Sequence, residues 1–362
     1  MQPVAVNPEL ISQIEFKPVI SVIMSVFNGV EFLAAAIESI RSQTVRDFEF
    51  IIIDDGSTDG SLALLTMCAG KDKRIRLISR ENRGLIASLN EAAALAKAPL
   101  LARMDCDDIA HPARFELQLR SFEARQNLVA LGAQTHVIGK DGLSLGKIHR
   151  YPIGKSEFKL NYPLGGPFVA HPLLMMRAEA FRKVGGYRAP FVAAEDLDLV
   201  YRLLEIGEVD NLSDTLLDYR FHGKNVSIVG GYKQMLARAT LIELVLEKER
   251  SGIDYLVRLE GPIDLNTIET QINYLGFRNR LIARLVDYDY AYNSHAMTSI
   301  VGFDAFAERI VQLSTVTTAD DAAAAKLKRG LIWTATKTFV RTGYIAALLP
   351  MLKLSIQSSR HF

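Results

Sequence analysis

The chain has 362 residues, of which 49% are hydrophobic and 23% charged, and its formal net charge is +1. A chain of this length buries a substantial core, either as one large domain or as one domain with an appendage. The near-neutral charge, without a basic cluster interleaved with aromatic residues, argues against nucleic acid as a partner.

Cysteine usage and the N-terminal segment bear on the cellular compartment. Cys68 and Cys106 are the only cysteines, too few for a disulfide framework, and this suits a reducing compartment. Residues 1–17 lack a basic segment followed by an apolar one, so we expect no secretion signal. Charged residues interrupt the most apolar C-terminal segment before it reaches transmembrane length. We therefore expect a cytoplasmic protein, with peripheral attachment to the inner face of the cell membrane left open.

From residue 18 onward, apolar runs alternate with helical patterns. The strand patterns of this part are residues 19–26, 48–53, 75–78 and 99–104. The alternation predicts an α/β fold, with a mostly parallel central sheet and helices on both faces. Because the carboxyl ends of parallel strands lie along one edge of a sheet, we expect the loops after these strands to converge there.

Further strands, a hairpin and a helix are predicted before the pattern changes near residue 230. They are strands at 128–138 and 169–176, a hairpin around 140–142 and a helix at 194–204. Later patterns are helical, at residues 233–250, 267–286 and 319–352. The predicted domains are an N-terminal extension at 1–17, a catalytic α/β domain at 18–229 and a helical region at 230–362.

Three carboxylates follow the fourth strand directly: Asp105, Asp107 and Asp108. Negative charges this close repel one another, and a chain tolerates them best where a divalent cation or a solvated turn absorbs the charge. A cation site and an acidic turn with Asp108 capping the next helix both remain open.

Other candidates lie at comparable places. Asp54 and Asp55 follow the second strand, where a helix N-terminal turn is the structural alternative. Arg83 lies in the loop after the third strand, and Glu195 and Asp196 lie in the first turn of a helix, where the helix dipole favours carboxylates.

Five ordered motifs carry a resemblance to a known family. They are Val22-Ile-Met-Ser-Val-Phe-Asn28, Ile53-Asp-Asp-Gly-Ser-Thr-Asp59, Glu81-Asn-Arg-Gly84, Asp105-Cys-Asp-Asp108 and Glu195-Asp-Leu-Asp198. In this order they resemble family 2 glycosyltransferases, which have the GT-A fold and transfer a sugar from a nucleotide diphosphate with inversion. The resemblance covers roughly residues 18–227 and leaves the helical C-terminal third outside.

For the nucleotide-sugar donor, the resemblance implies four binding residues. Ser25 would lie beside the nucleotide, and Asp55 would accept the N3 hydrogen of uracil, with Asp54 shaping the loop. Arg83 would approach the base or the diphosphate.

For the metal and the chemistry, the resemblance implies a further set. Asp107 would bind Mn²⁺ or Mg²⁺ directly, and Asp105 would reach the ribose or a metal-bound water. His222 would contact the metal or the diphosphate. Asp196 would be the general base, with Glu195 beside it. Cys106 is expected to be a small side chain packed inward, because a thiol offers little to a hard cation.

The implied function is transfer of one sugar, from a UDP-sugar by family habit, to a hydroxyl of a glycan or lipid-linked acceptor. The chain lacks the Gln-x-x-Arg-Trp motif of processive members, and its only tryptophan is Trp333. A nucleotidyltransferase and a non-catalytic nucleotide-sugar-binding scaffold remain as alternatives. The first would need a glycine-rich phosphate loop after the first strand, where Ser25-Val-Phe-Asn-Gly29 stands instead.

An apolar stripe at helical spacing marks the C-terminal region. It consists of Val340, Tyr344, Ile345, Leu348, Leu349 and Leu352, with Lys337, Arg341 and Lys353 off the stripe. Such a helix suits a membrane interface. It equally suits packing on the catalytic domain or on a second subunit in a homodimer, and the sequence leaves these open.

Overall fold

A computed structural model describes residues 17–162, 168–191, 194–223 and 231–255. These divide into two compact units. The first contains residues 17–161, 168–187 and 199–221, and the second contains the rest. The N-terminal extension up to residue 16 and the predicted helices at 267–286 and 319–352 lie outside the described residues, and the predicted domain boundaries stay predictions.

The described strands and helices alternate in the first part of the chain, as predicted. The strands are β1 Ile20–Val26, β2 Phe48–Asp54, β3 Ile75–Ser79, β4 Leu100–Arg103, β5 Ile109–Ala110, β6 Leu128–Ile138, β7 Ser144–His149, β8 Met175–Arg177 and β9 Glu208–Arg220. The helices are α1 Val30–Arg41, α2 Ser61–Lys71, α3 Leu85–Ala94, α4 Arg114–Ala124, α5 Gly154–Asn161, α6 Ala178–Lys183, α7 Glu195–Leu204 and α8 Gly231–Ser251.

One sheet contains all of these strands, in the order β3-β2-β1-β4-β8-β6-β9-β5, with β7 paired to β6. The first four strands in this order are parallel. Every residue of β2 is buried, as expected for a strand covered by helices on both faces. The remaining pairs are antiparallel except β6–β9, which is parallel. The predicted α/β class is confirmed.

The core between the parallel strands and the helices is apolar and closely packed. α1 buries Leu33, Ala36, Ile37 and Ile40 in it. Phe48 of β2 meets Phe115 of α4 edge to face, with ring centroids 5.7 Å apart. This packing fixes the position of the strand ends from which the site residues project.

One expectation about strands is wrong, and one strand was missed. Residues 169–176 do not form one strand, because a short 3₁₀ turn, His171–Leu173, comes before β8. Pro172 lies in that turn and has no N–H to donate to a strand partner. The strand β9 was not predicted at all, although it pairs with β6 over most of its length.

The predicted hairpin around residues 140–142 is confirmed as the β6–β7 connection. Gly142 has φ +83°, a conformation that suits glycine. Every residue from Lys140 to Ile148 is exposed, including Leu143 and Leu145. Within the described parts of the chain, no helix is both long enough and apolar enough to span a membrane.

Candidate active site

The predicted convergence of strand ends is confirmed in the first unit. β1 lies between β2 and β4 and is parallel to both. Ser25 near the end of β1 lies opposite Ile53, and Asp54 is the last residue of β2. Asp105 follows β4 by two residues. The acidic motifs and Ser25 therefore lie on the same edge of the sheet.

Asp55 organises the loop that follows β3. Its side chain is buried, Oδ1 accepts the N–H of Arg83 at 2.9 Å, and Oδ2 accepts the N–H of Gly84 at 2.9 Å. Arg80 forms an ion pair with the same carboxylate. The side chain of Arg83 is exposed. Asp55 and Arg83, both predicted as donor-binding residues, are thus in direct contact through the backbone N–H of Arg83.

Arg80 is the residue that braces this loop, and sequence reasoning missed it. Its Nε donates to Glu91 at 2.6 Å, Nη2 to Ser88 Oγ at 3.0 Å and Nη1 to the carbonyl of Glu81 at 2.8 Å. With the Asp55 ion pair, every nitrogen of the guanidinium has a partner. The geometry of the loop therefore depends on one side chain.

The two carboxylate oxygens of Asp54 differ in their hydrogen bonding. Oδ2 accepts the hydroxyl of Ser79 at 2.8 Å. Oδ1 is buried and has no hydrogen-bond partner among the described residues. A buried unpaired acceptor costs free energy, so this oxygen is a candidate to bind a donor group of a ligand.

The loops after β1 and β2 support each other. Asn28 has φ +53°, and its Oδ1 accepts the N–H groups of Thr58 at 2.8 Å and Asp59 at 3.3 Å. In return, Asp59 Oδ2 accepts the N–H of Val30 at 3.1 Å. Each loop thereby satisfies backbone donors of the other.

The acidic cluster consists of Asp105, Asp107 and Asp108, with one oxygen of each within 4.8 Å of the others. Asp108 is buried, and its Oδ1 accepts the N–H of Arg220 at 2.8 Å. Burial, and then the charges of Asp107 and Asp105, raise the pKa of Asp108 well above its usual range. Its Oδ2 has no hydrogen-bond partner among the described residues. A buried unpartnered oxygen among crowded carboxylates fits a hard divalent cation, which prefers oxygen ligands.

Three buried arginines surround this cluster, and sequence reasoning missed all of them. Arg103 forms an ion pair with Asp105. Arg114 donates from Nη2 to the carbonyl of Arg103 at 2.8 Å, and burial lowers its pKa to about 9. Arg220 donates from Nε to the carbonyl of Asp107 at 2.9 Å. A signal was available for Arg103, since a charge inside a buried strand requires a partner and the carboxylates follow at once.

Cys106 packs against the core between the aspartates, partly buried, in agreement with its expected role as a small side chain. Burial, and then the charges of Asp107 and Asp105, raise the pKa of its thiol. A Cβ on Gly29 would lie 2.8 Å from its Sγ. The cysteine thus stays protonated and tightly enclosed.

Glu195, Asp196 and His222 belong to the second unit. The helix predicted at 194–204 is confirmed as α7. Glu195 is buried, and Asp196 Oδ1 accepts the N–H of Leu197 at 2.7 Å. Asp198 is fully buried and accepts Nε of Arg188 at 3.0 Å, a pair that the sequence did not reveal. The catalytic roles expected of Glu195, Asp196 and His222 stay predictions.

Carboxylates at the carboxyl ends of β2 and β4, the two parallel neighbours of β1, are typical of an α/β enzyme whose site lies at a sheet edge. Residues 21–185 match the model of the family described as glycosyl transferase family 2. The O-antigen biosynthesis glycosyltransferase WbnJ of Escherichia coli is 35% identical over 213 residues, which cover 57% of this chain and 81% of WbnJ. The chain belongs to glycosyl transferase family 2 and is a glycosyltransferase.

Two further comparisons bear on length and fold. A chondroitin synthase of Pasteurella multocida is 26% identical over 239 residues, covering 66% of this chain but only 24% of that synthase. The crystal structure of S. aureus TarS residues 1–349 in complex with UDP is 15% identical, with a TM-score of 0.54, and the match covers 90% of this chain and 92% of TarS. The predicted GT-A fold is confirmed.

Proposed function

We propose that this protein is a metal-dependent inverting glycosyltransferase that moves one sugar from a nucleotide-diphosphate sugar, of the UDP-sugar class, to a hydroxyl group. The observation that carries the proposal is the acidic cluster, with its buried unpartnered oxygen on Asp108, at the sheet edge that also holds the Asp55 loop. Family membership favours neither alternative, a nucleotidyltransferase or a non-catalytic scaffold.

The metal would be held by Asp107 together with Asp105, with His222 as the further ligand. Asp108 would extend this set, and its buried Oδ2, which has no hydrogen-bond partner among the described residues, supports the proposal. When bound, Mn²⁺ or Mg²⁺ neutralises the charge that develops on the leaving diphosphate. Asp105 would also reach the ribose or a metal-bound water.

The donor would be held by Ser25, Asp54, Asp55 and Arg83. A carboxylate offers about four acceptor positions. Asp55 uses its oxygens for the N–H groups of Arg83 and Gly84 and for the Arg80 ion pair. The remaining position suits the N3 hydrogen of uracil, and Asp54 Oδ1 is a further buried acceptor that has no hydrogen-bond partner among the described residues.

The acceptor would be a glycan or a lipid-linked glycan in the synthesis of a surface polysaccharide or glycoconjugate. Relatives named as a chondroitin synthase and an O-antigen biosynthesis glycosyltransferase support this class. Asp196 would take the proton of the attacking hydroxyl, with Glu195 beside it. The protein would work in the cytoplasm, peripherally on the inner face of the membrane, with its C-terminal helix at the membrane surface or in a homodimer.

A thermal-shift panel of UDP, GDP, dTDP and CDP, each with and without Mn²⁺, tests the donor and metal sites. Wild type should be stabilised by UDP with Mn²⁺, by roughly 2.7 kcal/mol at about one hundred times Kd. Asp107→Ala should lose the metal-dependent part of the shift. Asp47→Ala is the matched control, since Asp47 is exposed and precedes the amino end of β2. A shift that is identical in Asp107→Ala and wild type would refute the metal site.

The same protein separates binding from transfer. Asp196→Asn should keep the UDP and Mn²⁺ shift and lose transfer by a factor on the order of 10² to 10⁴ in kcat, because an amide cannot accept the proton. Sugar transfer by Asp196→Asn at the wild-type rate, with UDP-sugars as donors, would remove this residue from the role of base.

A further inference from the structure

The charge around the acidic cluster is balanced from inside the protein. Asp105, Asp107 and Asp108 bring three carboxylates together. Arg103, Arg114 and Arg220 are 3%, 0% and 5% exposed. Burying a cation is costly unless a negative charge compensates for it. The carboxylates of the cluster supply that negative charge for the buried arginines.

Arg103 makes the direct contact. It projects from the end of β4 and forms an ion pair with Asp105, two residues further on. Its Nε has no hydrogen-bond partner among the described residues. The guanidinium is therefore held by charge and not by a complete set of hydrogen bonds. Arg114 adds a second buried guanidinium next to Arg103, since its Nη2 donates to the carbonyl of Arg103 at 2.8 Å.

A fixed positive charge beside a cation site opposes the binding of a dication. The opposition is strong at a buried position, where solvent screens little. A nucleotide diphosphate adds negative charge at the same site and offsets it. The arginine charge thus penalises the metal alone more than the metal that arrives with a diphosphate.

We propose that Arg103 is a positioning residue whose charge keeps the affinity of the acidic cluster for a free divalent cation low, so that metal and nucleotide bind together. The proposal rests on the proposed metal-dependent function. It predicts a gain of metal affinity when the arginine is neutralised, which a merely structural role would not produce.

The test is a titration of the full chain with Mn²⁺ alone. The electron paramagnetic resonance signal of free Mn²⁺ measures how much of the metal is bound. Asp107→Ala defines the background from other sites. Arg103→Met should bind Mn²⁺ tighter than wild type by on the order of tenfold. Arg103→Lys, which keeps the charge, should bind as wild type does. Arg76→Met removes an exposed arginine from β3 and should also match wild type.

A second variant covers the case in which Arg103→Met does not fold. Arg103→Gln also removes the charge, yet can still hydrogen-bond Asp105, which is 31% exposed and can be solvated. Adding UDP should shrink the difference between these variants and wild type, because the nucleotide supplies the charge that the arginine opposes.

The outcomes separate this proposal from the proposed function. Folded neutral variants that bind Mn²⁺ no tighter than wild type, while wild type binds Mn²⁺ with UDP, overturn the role of Arg103 alone. If no protein binds Mn²⁺ at Asp107, with or without UDP, then the metal dependence fails as well.

Discussion

At the residue scale, the proposed donor site depends on side chains that contact other side chains of the protein. Asp55 is a buried carboxylate whose hydrogen bonds hold the backbone of residues 83 and 84. Arg80 in turn holds Asp55, Glu91 and Ser88. The proposed base-binding residue is therefore positioned by an arginine that never needs to touch the nucleotide.

Arg80→Met should weaken UDP binding by roughly tenfold, because Asp55 loses a charge-assisted partner and the loop loses its brace. Isothermal titration with UDP and Mn²⁺ measures this. The KM for the donor should rise with little change in kcat, since Arg80 acts on the ground-state site. Arg76→Met serves again as the control, and equal UDP affinity in Arg80→Met and wild type would contradict the bracing role.

How far the sequence predicts the site depends on the kind of residue. The carboxylates were predictable, because Asp54 and Asp105 follow apolar runs that read as buried strands. Arg103 carried a signal inside its buried strand, but Arg80 did not, because an arginine outside such a run is more often a solvated surface charge. Its partner is decided by tertiary contacts that bring residues such as Arg80 and Glu91 together.

At the scale of elements, a polar cluster joins β6 and β9 to the turn after β5. Asp218 Oδ1 lies 3.1 Å from His111 Nε2 and 3.0 Å from His136 Nδ1. The hydrogen bond to Asp218 raises the pKa of His111, although burial opposes this. Burial alone would raise the pKa of Asp218, but the bonds from both histidines lower it.

The signs of these shifts fix a pH window. A histidine whose pKa is raised by folding stabilises the fold at any pH below the pKa of the unfolded state. This stabilisation is lost as the pH rises through the pKa of the folded state. An aspartate whose pKa is lowered by folding stabilises the fold at any pH above the pKa of the unfolded state. This stabilisation is lost as the pH falls through the pKa of the folded state. The cluster should therefore stabilise most between roughly pH 4 and 6.5.

Asp218→Asn should lower the free energy of unfolding by roughly 1 kcal/mol near pH 5.5, discounted because the histidines are about a third exposed. The loss should be smaller near pH 8.5. Urea unfolding at both pH values measures it. Asp214→Asn makes the same change at an exposed position of β9 and should show no such difference. A loss in the free energy of unfolding that is larger at pH 8.5 than at pH 5.5 in Asp218→Asn would contradict this pH dependence.

The sequence predicts most directly the strands whose burial is nearly uniform. β1 and β2 are runs of buried apolar residues, and the β/α alternation follows from them. β9 was missed because its burial is mixed and polar residues interrupt its pattern. Its strand conformation follows from pairing with β6, which is a tertiary effect.

At the scale of the whole molecule, the membrane proposal concerns the C-terminal region. Deleting residues 331–362 should abolish partition into vesicles of anionic phospholipid if the apolar stripe lies in the membrane interface. Flotation of the full and shortened chains measures this. A retained thermal shift with UDP and Mn²⁺ is the control for an intact catalytic domain. If the shortened chain floats with the vesicles as well as the full chain does, the apolar stripe does not bind the membrane. Packing on the catalytic domain or on a second subunit would then be its role.

Arg220 joins two regions of the first unit that sequence separates. Its Nε donates to the carbonyl of Asp107, and its Nη1 donates to the carbonyls of Gly139 and Lys140, at 3.2 and 3.1 Å. The base of the exposed hairpin and the backbone of the acidic cluster thus share one rigid connector. Displacing the base of the hairpin would break the hydrogen bonds that Arg220 makes there, so we expect it to disturb the Asp107 backbone as well, and such a coupling free energy is the same in both directions. A movement of the exposed hairpin would therefore be transmitted through Arg220 to the position of the carboxylates.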